Sequence, residues 1–125
     1  MNLVDSSGWI EYFTNGSHAA SFKKPIEDVR HLLVPSVCIY EVFKKTLQFM
    51  DEKKSLETVA VMRMGHVVPL DDQRAFSAAA LSHRFKLAMA DSIILAIANE
   101  YKAIIWTQDA DFKNFPNVNY LEIKK

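Results

Sequence analysis

Short apolar runs alternate along the chain with longer stretches in which apolar residues recur at helical spacing. The first four runs are continuous rather than alternating, which is typical of strands covered on both faces of a parallel sheet. The pattern therefore predicts a largely buried sheet. The five predicted strands are residues 2–4, 31–34, 66–70, 103–107 and 118–123.

The longer stretches predict helices between the strands, and this alternation indicates an α/β fold with right-handed crossovers. Pro35 and Ser36 open the third helix, and Asp71 or Asp72 caps the fifth. Gly65 suits the position just beyond the end of the fourth helix. The six predicted helices are residues 7–13, 18–24, 36–50, 52–64, 72–86 and 90–101.

Composition favours one compact domain over residues 1–125, with 50% hydrophobic and 24% charged residues and only three Gly. The longest uncharged apolar run, residues 93–98, is too short for a membrane span and instead predicts a deeply packed helix. The N-terminus lacks the basic flank and apolar segment of a signal peptide. A single cysteine, Cys38, excludes an internal disulfide and a multi-thiolate zinc site. We therefore expect a cytoplasmic protein.

The charges balance, since fifteen basic residues face fifteen acidic ones. A net charge of zero does not by itself indicate a nucleic-acid-binding protein. If four or five carboxylates gather in one pocket, however, only ten or eleven remain against fifteen basic residues. The remaining surface would then attract a polyanion.

Several acidic residues fall where the predicted strands end. Asp5 follows the first strand and Asp109 follows the fourth, and Asp91 lies at the start of the helix that precedes the fourth strand. Parallel strands end, and the helices after them begin, at one edge of a sheet, where ligands bind. Glu41 lies about one and a half turns into the third helix, whose side chains lean back toward that edge. We therefore expect four carboxylates to converge.

Such a cluster needs a compensating cation, because Glu41 and Asp91 are flanked by almost wholly apolar residues. Burying ionised carboxylates together is costly unless they hold protons or bind a metal. Oxygen ligands without Cys or clustered His select Mg²⁺ or Mn²⁺. Two such ions would activate a water and stabilise the leaving oxygen of a phosphodiester, which is nuclease chemistry.

Each acid also has a purely structural interpretation. Asp91 is a possible helix N-cap, Asp5 a possible turn former, and Asp109 and Asp111 possible caps of a turn. Glu41 has the alternative of pairing with Lys44 or Lys45 on its own helix.

Asp71 and Asp72 also follow a predicted strand, so they test the selectivity of this argument. Their pattern before an amphipathic helix is an ordinary capping pattern. On a strand at the sheet edge, two strands from Asp5, they would lie roughly 10 Å away, too far to share a metal.

The remaining reactive residue types give no competing site. The histidines show no close pairing and are expected at the surface or in the core. Cys38 is expected to be a small core residue, and no nucleophile elbow surrounds Ser6 or Ser7. The four histidines are His18, His31, His66 and His83.

The acidic segments, in order and spacing, resemble the motifs of PIN-domain ribonucleases, and most closely those of VapC-type toxins of prokaryotic toxin–antitoxin pairs. The resemblance covers essentially the whole chain. It implies a PIN-like three-layer α/β sandwich whose five-stranded parallel sheet has the order 3-2-1-4-5. The segments that carry it are residues 3–7, 34–42, 87–92 and 107–112.

The resemblance also implies a function, namely Mg²⁺- or Mn²⁺-dependent endonucleolytic cleavage of RNA. It implies a homodimer and a small antitoxin partner whose C-terminal segment covers a groove beside the site. Related sequences differ over which acid follows the threonine of the last motif, so the roles of Asp109 and Asp111 stay open. The implied catalytic metal ligands are Asp5, Glu41, Asp91 and Asp109, with Asp111 as a fifth ligand and with Thr107 and Ser6 in support.

Two other function classes are compared with the nuclease. A receiver module requires an acidic pair after the first strand and a Lys near the last, but Ser6 follows Asp5 and no Lys follows Thr107 before Lys113. A PIN-like module that binds RNA or protein without cutting stays open. RNA specificity would depend on surface residues, with candidates Lys23, Lys24, Lys44, Lys45, Arg84 and Lys86.

Overall fold

The structure of the chain is a computed structural model that describes residues 1–123. Its strands are β1 (Asn2–Val4), β2 (Leu32–Pro35), β3 (His66–Val68), β4 (Ile104–Thr107) and β5 (Val118–Tyr120). Its helices are α1 (Ser6–Phe13), α2 (Ala19–Glu27), α3 (Ser36–Thr46), α4 (Glu52–Met62), α5 (Asp72–Phe85) and α6 (Met89–Tyr101). Short 3₁₀ turns cover Val29–His31 and Ala110–Phe112.

All five strands are parallel and follow the order β3-β2-β1-β4-β5, which confirms the predicted α/β fold and sheet order. In the centre of the sheet, Leu3 pairs with Leu33 on one side and with Ile105 on the other. The carboxyl end of β1 therefore lies between those of β2 and β4. Residues that follow β1 and β4 are neighbours in space.

The core forms between the sheet and the helices that cover it. Helix α6 is buried continuously from Ser92 to Ala98, as its apolar sequence predicts. Trp9 of α1 and Phe22 of α2 are fully buried, and Phe112 closes the core beyond β4. This packing fixes the N-termini of α1 and α6 against the sheet. No helix within residues 1–123 is long and apolar enough to cross a membrane.

The predicted helix and strand positions are confirmed, but several ends differ. The third helix ends at Thr46 rather than at residue 50, and the last strand ends at Tyr120 rather than at residue 123. Gly65 is not a left-handed cap, since α4 ends at Met62 and no described glycine has a positive φ. A Cβ on Gly65 would lie 2.9 Å from Cγ2 of Val34, so the glycine permits close approach to β2.

Candidate metal centre

Asp5 lies directly after the central strand and caps α1. Its Oδ1 accepts hydrogen bonds from the backbone N–H of Gly8 at 3.0 Å and from Oγ of Ser7 at 2.7 Å. Its Oδ2 accepts from Oγ1 of Thr107 at 2.5 Å. Only 3% of Asp5 is exposed. Asp5, whose structural alternative was a turn former, is locally the N-cap of α1, and the contact with β4 adds a tertiary role.

Two hydroxyl groups join the ends of β1 and β4. Besides donating to Asp5, Thr107 accepts from the backbone N–H of Asp109 at 2.8 Å. Ser7 likewise donates to Asp5 and accepts from the backbone N–H of Gln108 at 3.1 Å. The loop after β4 is thereby held against Asp5.

Three further carboxylates come together at this edge. Asp91, Asp109 and Asp111 each place one oxygen so that all three oxygens lie within 4.8 Å of one another. Asp109 also caps the turn that follows it, since its Oδ1 accepts from the backbone N–H of Asp111 at 2.9 Å. Asp91 is the third residue of α6, whose N-cap is Ala88, so the interpretation of Asp91 as the N-cap is wrong.

Glu41 projects from α3 toward the start of α1. Its Oε1 accepts from Oγ of Ser6 at 2.5 Å. The alternative of an ion pair with Lys44 or Lys45 is wrong, since the ion pairs found within residues 1–123 do not include Glu41. Neither Glu41 nor Asp5 belongs to the group of three oxygens; they lie beside it.

Electrostatics shows that these acids share one environment. Burial, reinforced by repulsion from Asp109, Asp5, Asp111 and Glu41, raises the pKa of Asp91 to about 7. Burial also raises the pKa of Asp5 to about 6, against the opposing effect of its hydrogen bonds. Like charges held close together and out of water disfavour ionisation. The cluster thus favours a proton or a cation.

Cys38 lies in the core beneath the acids and confirms its prediction as a small core residue. Burial raises the pKa of its thiol well above the usual range, and the negative charges of Asp5, Glu41 and Asp91 add to this effect. A thiol kept protonated is a poor nucleophile and a poor metal ligand. The cluster therefore offers oxygen donors only.

The donor set fits a hard divalent cation. Carboxylate oxygens are preferred ligands of Mg²⁺ and Mn²⁺, which bind few protein groups and retain waters. One oxygen each from Asp91, Asp109 and Asp111 lies within 4.8 Å of the others, so the three carboxylates are close enough to share one such ion. The role of each acid as a ligand stays a prediction.

Asp71 and Asp72 lie away from this cluster on the edge strand side, as predicted. Asp71 caps α5 by accepting from the backbone N–H of Arg74 at 2.9 Å, and it also contacts the Arg74 guanidinium at 3.1 Å. Asp72 occupies the first turn of α5. Of the two predicted candidates, Asp71 is therefore the cap of α5.

Sequence reasoning missed Ser7, Gln108 and His18. Ser7 had a local signal, because a hydroxyl residue two positions after a capping Asp is placed to contact it. His18 and Gln108 had none, since Nδ1 of His18 lies 2.6 Å from Oε1 of Gln108 across 90 positions of sequence. Such a contact arises only when the start of α2 and the loop after β4 meet in the folded chain.

The sequence matches the family model described as the PIN domain over residues 3–118. None of the curated proteins matches this sequence.

Solved structures with the same fold include components of toxin–antitoxin complexes. A toxin–antitoxin complex from Klebsiella pneumoniae contains a chain with a TM-score of 0.79 and 22% identity, covering 98% of this chain and 100% of that one. VapBC2 from Rickettsia felis, bound to a promoter DNA fragment, gives a TM-score of 0.72 at 10% identity, with 97% of each chain covered. DNA-bound VapBC from Salmonella typhimurium gives a TM-score of 0.70 at 14% identity, with 98% of each chain covered.

Proposed function

The chain belongs to the PIN domain family, and we propose that it is a metal-dependent endoribonuclease, the toxin of a type II toxin–antitoxin pair. The observation that carries this proposal is the acid cluster at the carboxyl ends of β1 and β4. There Asp91, Asp109 and Asp111 bring oxygens within 4.8 Å, beside the buried Asp5. A site built only from carboxylates suits cation-assisted hydrolysis of a phosphodiester.

In this proposal Asp5, Glu41, Asp91 and Asp109 hold Mg²⁺ or Mn²⁺, with Asp111 as a further ligand. When bound, the ion supplies Lewis-acid activation of water and neutralises negative charge on the phosphate. The pKa of Asp91, raised to about 7 by burial and neighbouring acids, indicates a cluster that gains from a cation.

The supporting residues fix the orientation of the ligands. Thr107 and Ser7 donate to opposite oxygens of Asp5, and Ser6 donates to Glu41. Hydrogen bonds that orient metal ligands sharpen affinity and geometry. The same Thr107 hydroxyl accepts from the backbone of Asp109, so one side chain sets the spacing of two acids.

We further propose that residues 1–125 form a single PIN domain and that this chain forms a homodimer. We also propose that a small antitoxin binds it and that the two proteins act in the cytoplasm. Coverage of 97% to 100% of chains from toxin–antitoxin structures supports the antitoxin. Large exposed apolar side chains, with Tyr40 62% exposed and Phe76 69% exposed, support protein partners.

The direct test is cleavage of end-labelled RNA by the purified chain with Mg²⁺, with Mn²⁺ and with excess chelator. We expect discrete internal cuts that require the metal and disappear in Asp91→Asn. Cleavage that persists in chelator would reject the metal mechanism. Binding of RNA without cleavage would instead favour a non-catalytic PIN-like module.

The partner proposal has a separate test. If a short open reading frame lies next to the gene, its product is expressed together with this chain carrying an affinity tag. We expect the small protein to copurify and to suppress RNA cleavage in proportion to its amount. An adjacent product that neither binds nor inhibits would contradict the toxin–antitoxin assignment while leaving the nuclease proposal intact.

A further inference from the structure

A cleft of about 400 Å³, lined mainly by residues with polar side chains, opens beside the acid cluster, between α1, α3 and the loop after β4. Its lining includes Ser6, Ser7 and Glu41, which also belong to the hydrogen-bond network of the cluster. A substrate held at the acid cluster would therefore have this cleft directly beside it. The other lining residues are Ile10, Glu11, Lys45 and Gln108.

Lys45 brings a positive charge to the cleft. It lies one turn after Glu41 on α3, is exposed, and takes part in no ion pair within residues 1–123. Its neighbour Lys44 does not line the cleft, and its Nζ lies 5.8 Å from the ring centroid of Tyr40. Of these two adjacent lysines, only Lys45 is placed to meet a phosphate there.

Gln108 brings an oriented amide. Its Oε1 lies 2.6 Å from Nδ1 of His18, and its backbone N–H donates to Ser7. The amide nitrogen donates to no acceptor within residues 1–123, and it is not among the buried unsatisfied atoms there, so it is open to solvent. An amide fixed through its oxygen presents its two N–H donors outward. Phosphates, base carbonyls and ribose hydroxyls all accept such bonds.

The two acids of the cleft are already engaged. Glu41 accepts from Ser6, and Oε2 of Glu11 accepts from the backbone N–H of His18 at 3.0 Å. Glu11 therefore holds the start of α2, including the imidazole that contacts Gln108. The negative charge of Glu41 belongs to the cluster, whereas Lys45 and Gln108 offer only donors.

We propose that this cleft binds the nucleotide next to the cleaved bond, with Lys45 contacting its phosphate and Gln108 donating to its base or ribose. His18 acts as a positioning residue through Gln108. The proposal rests on the ribonuclease function above and adds to it a subsite and the residues that set specificity. Hydrogen bonds to bases and riboses select sequence, whereas a lysine on a phosphate adds affinity.

The test compares Lys45→Ala with Lys44→Ala, which removes the same charge one residue away. For each variant, kcat and KM are measured with a set of RNAs that differ at the nucleotides flanking the cut. We expect Lys45→Ala to raise KM about 5- to 10-fold with kcat nearly unchanged, and to lower the salt slope of RNA binding by about 1. Lys44 is also a sequence candidate for RNA contact but does not line the cleft, so Lys44→Ala should change KM much less than Lys45→Ala does.

Gln108→Glu keeps an oxygen facing His18 and removes the two N–H donors, whereas Gln108→Ala removes the oxygen and the donors together. We expect each variant to reduce the differences in kcat/KM among RNAs that vary at the flanking nucleotides, and we expect the same of His18→Ala. Thermal stability is measured for all three variants. A merely structural role for Gln108 would lower stability and kcat for every RNA equally, which would contradict the proposal.

Binding of an uncleavable RNA analogue by the same variants separates the two proposals. Suppose that the wild type cleaves RNA, but Lys45→Ala and Gln108→Glu bind the analogue as tightly as Lys44→Ala does. That result overturns the subsite and leaves the ribonuclease proposal intact. Inactive wild type whose RNA binding still depends on Lys45 and Gln108 supports these two residues as RNA contacts of the cleft, but it overturns the ribonuclease and with it the cleaved bond that the subsite adjoins. A chain that neither cuts nor binds RNA overturns both.

Discussion

Oγ1 of Thr107 donates a 2.5 Å hydrogen bond to Oδ2 of Asp5, joining residues 102 positions apart at the centre of the sheet. Because Thr107 also accepts from the backbone of Asp109, the bond connects two acids that follow different strands. The spacing of the cluster thus depends on a neutral side chain.

Thr107→Val removes this donor with little change of shape. It should cost about 1 to 3 kcal/mol of unfolding free energy, since a buried carboxylate and a backbone N–H both lose a partner. Cleavage should fall about 10- to 100-fold, as for other residues that orient metal ligands. Thr107→Ser keeps the hydroxyl and serves as the control in urea unfolding and in rate measurements. Equal activity of the two variants would contradict an orienting role.

Asp91→Asn should lower RNA cleavage by more than about 100-fold, because losing a ligand costs more than losing its hydrogen-bonding partner. The metal-free protein should be at least as stable as wild type at pH 8, since a repelled negative charge is removed. The matched control is Asp71→Asn, which keeps a capping side chain on α5 but loses the ion pair with Arg74, and it should cost up to about 1 kcal/mol while leaving cleavage unchanged. Loss of activity in both variants would show that the assay reports folding.

Stability of the metal-free protein should fall as pH rises from about 4 to about 7. Burial raises the pKa of Asp5 to about 6 and that of Asp91 to about 7, both above the unfolded value of 3.8. In this window the folded chain holds protons that the unfolded chain has released, so raising the pH favours unfolding. Asp5 alone accounts for a loss of about 3 kcal/mol of unfolding free energy across this window. Asp91 is partly exposed, so solvent screens its charge and its contribution is smaller than its pKa shift suggests.

Urea unfolding in chelator at pH 5 and pH 8 measures this slope. Asp5→Asn should flatten it, and Mg²⁺ at pH 8 should restore much of the lost stability, because a cation replaces the protons. A metal-free protein that grows more stable from pH 5 to pH 8 would show that other groups dominate the cluster.

Gly65→Ala should destabilise the protein by about 1 to 3 kcal/mol through overpacking. The new methyl group would lie 2.9 Å from Cγ2 of Val34 and 3.0 Å from the carbonyl oxygen of Leu32, which cannot move without shifting β2. Thermal unfolding measures the effect. Ala60→Gly on the exposed face of α4 changes a residue of similar size away from this contact and controls for general effects of glycine and alanine exchange. A stabilised Gly65→Ala would mean that chain flexibility outweighs packing here.

The sequence by itself determined the α/β class of the fold, while the strand order followed from the resemblance to PIN domains. Continuous apolar runs and helical spacing predict the elements, and the rule that parallel strands end at one edge places Asp5 and Asp109 at the same edge. The sequence also distinguished Asp71 from the acid cluster, because its capping pattern is local. These inferences succeed because they depend on periodicity and chain direction, which short stretches of sequence record.

Only the tertiary structure decided which side chains touch. The Ser6 contact of Glu41, the Thr107 contact of Asp5 and the His18 contact of Gln108 join residues 35, 102 and 90 positions apart. Packing also decided the role of Gly65, whose missing side chain makes room for β2. No local pattern encodes such contacts, because each depends on the distance between two elements that the hydrophobic core sets as a whole.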